Sequence, residues 1–115
     1  MKAIPTIDGH HHIWRLNDLT WLSGPQVPRI FGPYQAIRRD YPIEEFQADT
    51  AGCDVVKSVY VQTNWPAGRS YDEAKWVQSV SDATGWPHAN VAYADLADPD
   101  CAALIGRLAR TASIR

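Results

Sequence analysis

The residues best equipped for chemistry lie in Ile7-Asp8-Gly9-His10-His11-His12-Ile13-Trp14, where His10 and His12 stand at i and i+2 straight after a short apolar run. Successive side chains of a strand alternate faces, so His10 and His12 share one face and His11 takes the other. At a rise of about 3.3 Å per residue the two imidazoles sit about 6–7 Å apart, close enough to converge on one cation. The competing account is a polar turn whose rings satisfy backbone carbonyls. Adjacent buried histidines cost desolvation unless they bind something, which favours metal chemistry. His11 is expected to pack or to support the ligands from behind, and Asp8 to satisfy backbone or a histidine N–H.

Elements that must position this pair follow in alternation. Residues 3–8 make a short strand that delivers the histidines. From Trp14 to Tyr41, Pro25, Pro28, Pro33, Gly24 and Gly32 break any regular pattern, and a loop of that length inside a domain is usually functional. Pro42 opens a helix with Glu44 and Glu45 in its first turn, Ile43 and Phe46 as buried points and Gly52 as a stop. Asp54 to Thr63 is β-branched and aromatic and reads as a strand. Ser70-Tyr71-Asp72-Glu73 has the form of a capping box, opening a helix through Ala74, Val77 and Val80 that ends at Gly85. Ala89 to Ala94 is a third strand. Asp98 then caps a helix with Pro99 at its first position, and Cys101, Leu104, Ile105 and Leu108 form its apolar stripe.

Composition narrows the function classes. The 115 residues are 45% hydrophobic and 21% charged with a net charge of −2, so neither a nucleic-acid footprint nor a polybasic membrane anchor is present. No apolar run reaches the ~18 residues of a membrane span. Met1-Lys2-Ala3-Ile4-Pro5 turns polar too soon for a signal peptide, which predicts a cytoplasmic protein. Cys53 and Cys101 form no close pair and are expected to be buried small hydrophobes.

Strands alternating with helices predict an α/β protein with parallel pairing. Three βα units alone would leave bare sheet edges, whereas a TIM (β/α)8 barrel needs ~250 residues for eight. Residues 1–115 are therefore expected to be the N-terminal part of such a barrel, a partial domain truncated at the C-terminus near Arg110–Arg115, where a fourth strand should begin.

The run Ile7 to Trp14 resembles the first-strand signature of the amidohydrolase superfamily, in the amidohydrolase-related branch of metal-dependent barrel hydrolases that includes sugar-acid lactonases. The likeness extends through the Trp-rich loop, the Gly-terminated helix before Asp54-Val55-Val56, Val61-Gln62 at a strand end, and Tyr93-Ala94-Asp95-Leu96 before a capped helix. It implies His10 and His12 as paired metal ligands. The family's remaining ligands, two histidines and the general-base aspartate, would lie beyond Arg115. Asp-x-His-x-His also resembles the opening of TatD-type nucleases and PHP phosphoesterases, and related barrel decarboxylases keep the same histidines.

The resemblance implies hydrolysis of a small lactone or related cyclic ester by metal-activated water, with the aspartate beyond the chain moving the proton. Imidazole and carboxylate ligation suits Zn²⁺, with Mn²⁺ as the second choice, although some members of the branch work without metal. Gln62 and Asn64, at the strand end where barrel sites lie, are expected to contact substrate. Trp14, Trp21, Arg29 and Tyr34 are expected to wall the pocket, Arg29 supplying a cation for a carboxylate or sugar-acid oxygen. Asp95, at the matching place after the third strand, is expected either to face the site or to orient its own loop, and His88, at the opposite strand end, to be structural. The expected partner is a small molecule, with no nucleic acid and no membrane. Assembly as a homo-oligomer and a non-enzymatic α/β module both stay open.

Overall fold

The computed structural model describes residues 3–115. Met1 and Lys2, on which part of the leader argument rests, lie outside the described residues. Three parallel strands, β1 (Thr6–His11), β2 (Val55–Val61) and β3 (Ala89–Val91), lie side by side in that order. Helices α1 (Thr20–Ser23), α2 (Ile43–Asp49), α3 (Ser70–Thr84) and α4 (Cys101–Leu108) complete the regular structure, with single 3-10 turns at Leu16–Asp18 and Gln35–Ile37. The alternation read from sequence is thus present as a parallel α/β unit.

Its boundaries moved where pairing overrode local signals. β1 starts at Thr6, whose N–H is the first to reach β2, donating to Asp54 O at 2.9 Å; Pro5 ahead of it has no N–H to give. The strand therefore runs through His10 and His11 rather than ending before them. α3 begins one residue earlier than a capping box requires. Ser70 is already helical, Arg69 stands in the cap position and no side-chain cap is made, which leaves Glu73 free for another use. α4 likewise begins at Cys101. Asp98 and Pro99 form a preceding turn, with the Asp100 N–H donating to Asp98 Oδ1 at 2.8 Å. Two further expectations fail on burial, since Cys53 is exposed and Ile105 is 47% exposed.

Helices cover one face of the sheet. Ile43 and Phe46 of α2 and Val77 of α3 pack with Ile13 and Tyr60 into one apolar cluster. A second cluster, Leu19, Leu22, Tyr34 and Trp65, fills the underside of the long loop. That loop is pinched at its base by an antiparallel bridge between Trp14 and Tyr41, whose N–H and C=O groups exchange hydrogen bonds at 3.0 and 2.9 Å. The segment predicted as irregular is therefore a closed excursion with its own core.

Candidate metal centre

The decisive local feature is an extra residue in β1. Asp8 pairs with Ser58 and His11 with Tyr60, so three steps along β1 match two along β2, the signature of a β-bulge. In a regular strand His10 would share the face of Asp8, and His11 that of Ile7. The bulge shifts the phase after Asp8, so that His11 follows Tyr60 into the helix-covered side and His10 and His12 emerge on the other. Gly9, within the bulge, has space around it for the bend.

His11 is buried between sheet and α2. Its ring stacks on Phe46 at 4.0 Å and meets Tyr60 edge-on at 6.3 Å, and neither ring nitrogen has a partner. Burial lowers its pKa from the ordinary 6.5 to about 4, the nearby Asp8 charge opposing only in part, so the ring is neutral. It packs, as expected. Asp8 accepts the His10 N–H at 3.0 Å, an Asx turn that sets the bend before the pair.

The rings of His10 and His12 meet edge to face with centroids 5.0 Å apart. His12 Nδ1 lies 2.8 Å from Val61 O, and a carbonyl can only accept, so Nδ1 carries the proton. The Nε2 lone pair is therefore left for a cation, the arrangement by which metal-binding histidines are held in one tautomer. This donor chemistry fits zinc as half of a ligand set, because Zn²⁺ takes about four ligands. Among the described residues no third His, Cys, Asp or Glu joins the pair.

His12 opens into a cavity of about 290 Å³ walled by Trp14, Trp21, Leu19, Gln62 and Asn64. Trp14 stacks on Tyr41 at 5.0 Å, and Trp21 donates its indole N–H to Thr63 O at 2.9 Å, so both walls are anchored. Gln62 Oε1 accepts the Asn64 N–H at 2.7 Å, which turns the chain into the left-handed conformation of Asn64 (φ 59°) and leaves the Gln62 amide N–H₂ unengaged by that bond. The structure thus brings Trp14, Gln62 and Asn64 together with His12.

Arg29 and Tyr34 are not brought there. Arg29 faces a neighbouring depression with Phe31, Trp21 and Asn64. Tyr34 is 5% exposed and its hydroxyl accepts the Val27 N–H at 2.9 Å, so it holds the loop from inside. His88 lies just ahead of β3, beside the middle of β2, accepting the Ser58 N–H on Nδ1 at 3.3 Å, and Asp95 accepts the Ala97 N–H at 2.9 Å within its own loop.

Sequence reasoning missed Glu73 and Thr63. Glu73, 3% exposed, accepts from Tyr60 OH at 2.6 Å, Thr63 N–H at 2.7 Å and Thr63 Oγ1 at 3.1 Å. The capping-box pattern concealed this role. The signal that could have found it is the i, i+3 pair of hydroxyls, Tyr60 and Thr63, at the end of a strand that leads into the same helix.

A parallel α/β unit with an imidazole pair at the carboxyl end of its first strand defines a class, and similarity to known proteins agrees with it. The chain is 38% identical over 117 residues to the uncharacterized protein y4mH of Sinorhizobium fredii, covering 100% of this chain and 39% of that protein. It superposes on the crystal structure of an amidohydrolase from Burkholderia multivorans with bound zinc at a TM-score of 0.66 and 26% identity, over 95% of this chain and 34% of that one. No protein-family model matches the chain. Fold, site and similarity agree in likening the chain to the N-terminal part of an amidohydrolase. It spans less than two fifths of the length of either relative. Among the described residues no helix is long and apolar enough to cross a membrane.

Proposed function

We propose that residues 1–115 are the first three βα units of a (β/α)8 barrel and supply one strand's share of a metal site that opens a small lactone. The observation that carries the reading is the fixed tautomer of His12 beside His10, on the face that a bulge has turned away from the helices. The barrel is supported by an isolated parallel bridge from Asn90 of β3 to Ile114, the position of a fourth strand. It is supported also by the sheet face opposite the helices, since parallel sheets are ordinarily covered on both sides.

Bound zinc would polarise the lactone carbonyl and bring the pKa of a water molecule toward neutrality. His10 and His12 would hold it through ring nitrogens, with Val61 O keeping the His12 proton on the far side of the ring. The cavity volume of about 290 Å³ suits a single small ring, at the lower end of the ~300–1,000 Å³ usual for small-molecule sites. Trp14, Trp21 and Leu19 would exclude water from its apolar side, while the Gln62 amide would donate to a ring or hydroxyl oxygen. Asn64 closes the same wall. The general base would come from a later strand of the full-length protein.

The test is a panel of γ- and δ-aldonolactones offered to the full-length protein, followed by proton release, with zinc content measured for the parent, His10→Ala and His12→Ala. Hydrolysis of at least one lactone is expected, with zinc lost from both variants. Retention of zinc by both would overturn the ligand assignment, and inertness toward the panel would overturn the substrate class.

A further inference from the structure

Thr63 is held from two sides. Its N–H and hydroxyl go to Glu73 Oε1 on the helix side, at 2.7 and 3.1 Å, and its carbonyl accepts the indole N–H of Trp21 on the cavity side, at 2.9 Å. Gln62 and Asn64, its two neighbours, are both cavity walls, and they bond each other across it. Moving the Thr63 peptide therefore moves three walls of the cavity at once. The anchor is a carboxylate on the first turns of a 15-residue helix, fixed further by the Tyr60 hydroxyl at 2.6 Å. Such a buried acceptor, engaged by three donors, is rigid in a way that an exposed loop contact is not.

We infer that Glu73 is a positioning residue for the reaction proposed above: through Thr63 it sets where Gln62, Asn64 and Trp21 stand relative to the His10/His12 pair. It touches neither substrate nor metal. Its effect rests on the lactonase reading only in the choice of substrate, because the geometry it controls exists whatever the cavity binds. Loss of the anchor should weaken substrate placement and leave the metal ligands untouched.

The experiment compares full-length parent, Glu73→Ala and Glu73→Gln by lactone kinetics, zinc content and amide exchange over residues 62–64. Gln keeps the acceptor oxygen and the shape, so it serves as the conservative rescue. For Glu73→Ala, KM rises about tenfold with kcat within about twofold, the pattern of misplaced walls rather than lost chemistry, and Glu73→Gln recovers most of the KM. Zinc content stays at the parental level, and exchange at 62–64 quickens in Glu73→Ala but not in β3. A parental KM in Glu73→Ala, or a fall in kcat alone in step with lost folded protein, overturns the inference. Should Glu73→Ala fail to fold, Thr63→Val, which removes one of the three donors, carries the test, with a smaller rise in KM expected and a parental KM overturning it. If the parent opens no lactone, the functional reading fails separately. Exchange at 62–64 then decides alone, quickening upholding Glu73 as the anchor and parental exchange overturning it.

Discussion

Tyr60 shows how one buried group links stability to pH. Burial first, then the neighbouring Glu73 carboxylate and its hydrogen bond, raise the phenol pKa well above its ordinary 10. Folded protein thus keeps this proton at a pH where unfolded chain has lost it. The contribution is complete below about pH 10 and is lost as pH rises beyond it, at up to about 1.4 kcal/mol per pH unit. Tyr60→Phe removes that dependence. At pH 8 it should cost about 1–3 kcal/mol, since Glu73 loses a donor inside the protein, and the deficit should shrink above pH 10. Urea unfolding of parent and variant from pH 8 to 11 checks this; Tyr41, whose pKa rises to about 12 through burial and then Asp49, contributes equally to both and cancels. A deficit that stays constant to pH 11 would contradict the assigned shift.

Two glycines at helix positions predict opposite signs for the same substitution. Gly85 ends α3 at φ 78°, in the left-handed region that costs an L-residue about 1–2 kcal/mol, while nothing stands within 4 Å of a Cβ there. Gly85→Ala should therefore destabilise by about 1 kcal/mol through backbone strain alone. Gly106, inside α4 with equally open surroundings and no positive φ, should gain about 0.5–1 kcal/mol as Ala. Denaturant midpoints at unchanged slope measure both. Gly85 was readable because a helix stop is a local property, and so were the apolar run of β2 and the periodicity of α3. The β1 bulge was not, because an extra residue in one strand exists only relative to its partner, and neither was the Glu73 anchor, because Tyr60 and Thr63 lie across a turn. His10 and His12 were legible as a pair, while the separation of Arg29 and Tyr34 from them depends on how the long loop closes on its own core. Trp14, Gln62 and Asn64 lay near the strand ends and went where those ends led.

Among the described residues the helices cover one side of the sheet only, which leaves an apolar face without a partner element. Ile7, paired with Lys57, and Val91, paired with Val61, lie on the side away from Tyr60, and they are 61% and 39% exposed. The outer edge of β1 has no neighbouring strand among the described residues, and β3 has only the single bridge to Ile114. An unpaired parallel edge beside an apolar face is a template for association. If the missing cover is the remainder of a barrel, residues 1–115 produced alone should bind a hydrophobic dye, self-associate and melt without a sharp transition, whereas the full-length protein should do none of these. Light scattering, dye fluorescence and thermal unfolding of the two proteins side by side make the comparison. A segment that proved monomeric, dye-free and cooperative would mean that three strands and four helices satisfy their own sheet, and the barrel would have to be given up for a self-contained α/β module. The His10/His12 pair would then need its further ligands from a ligand or a second copy rather than from later strands.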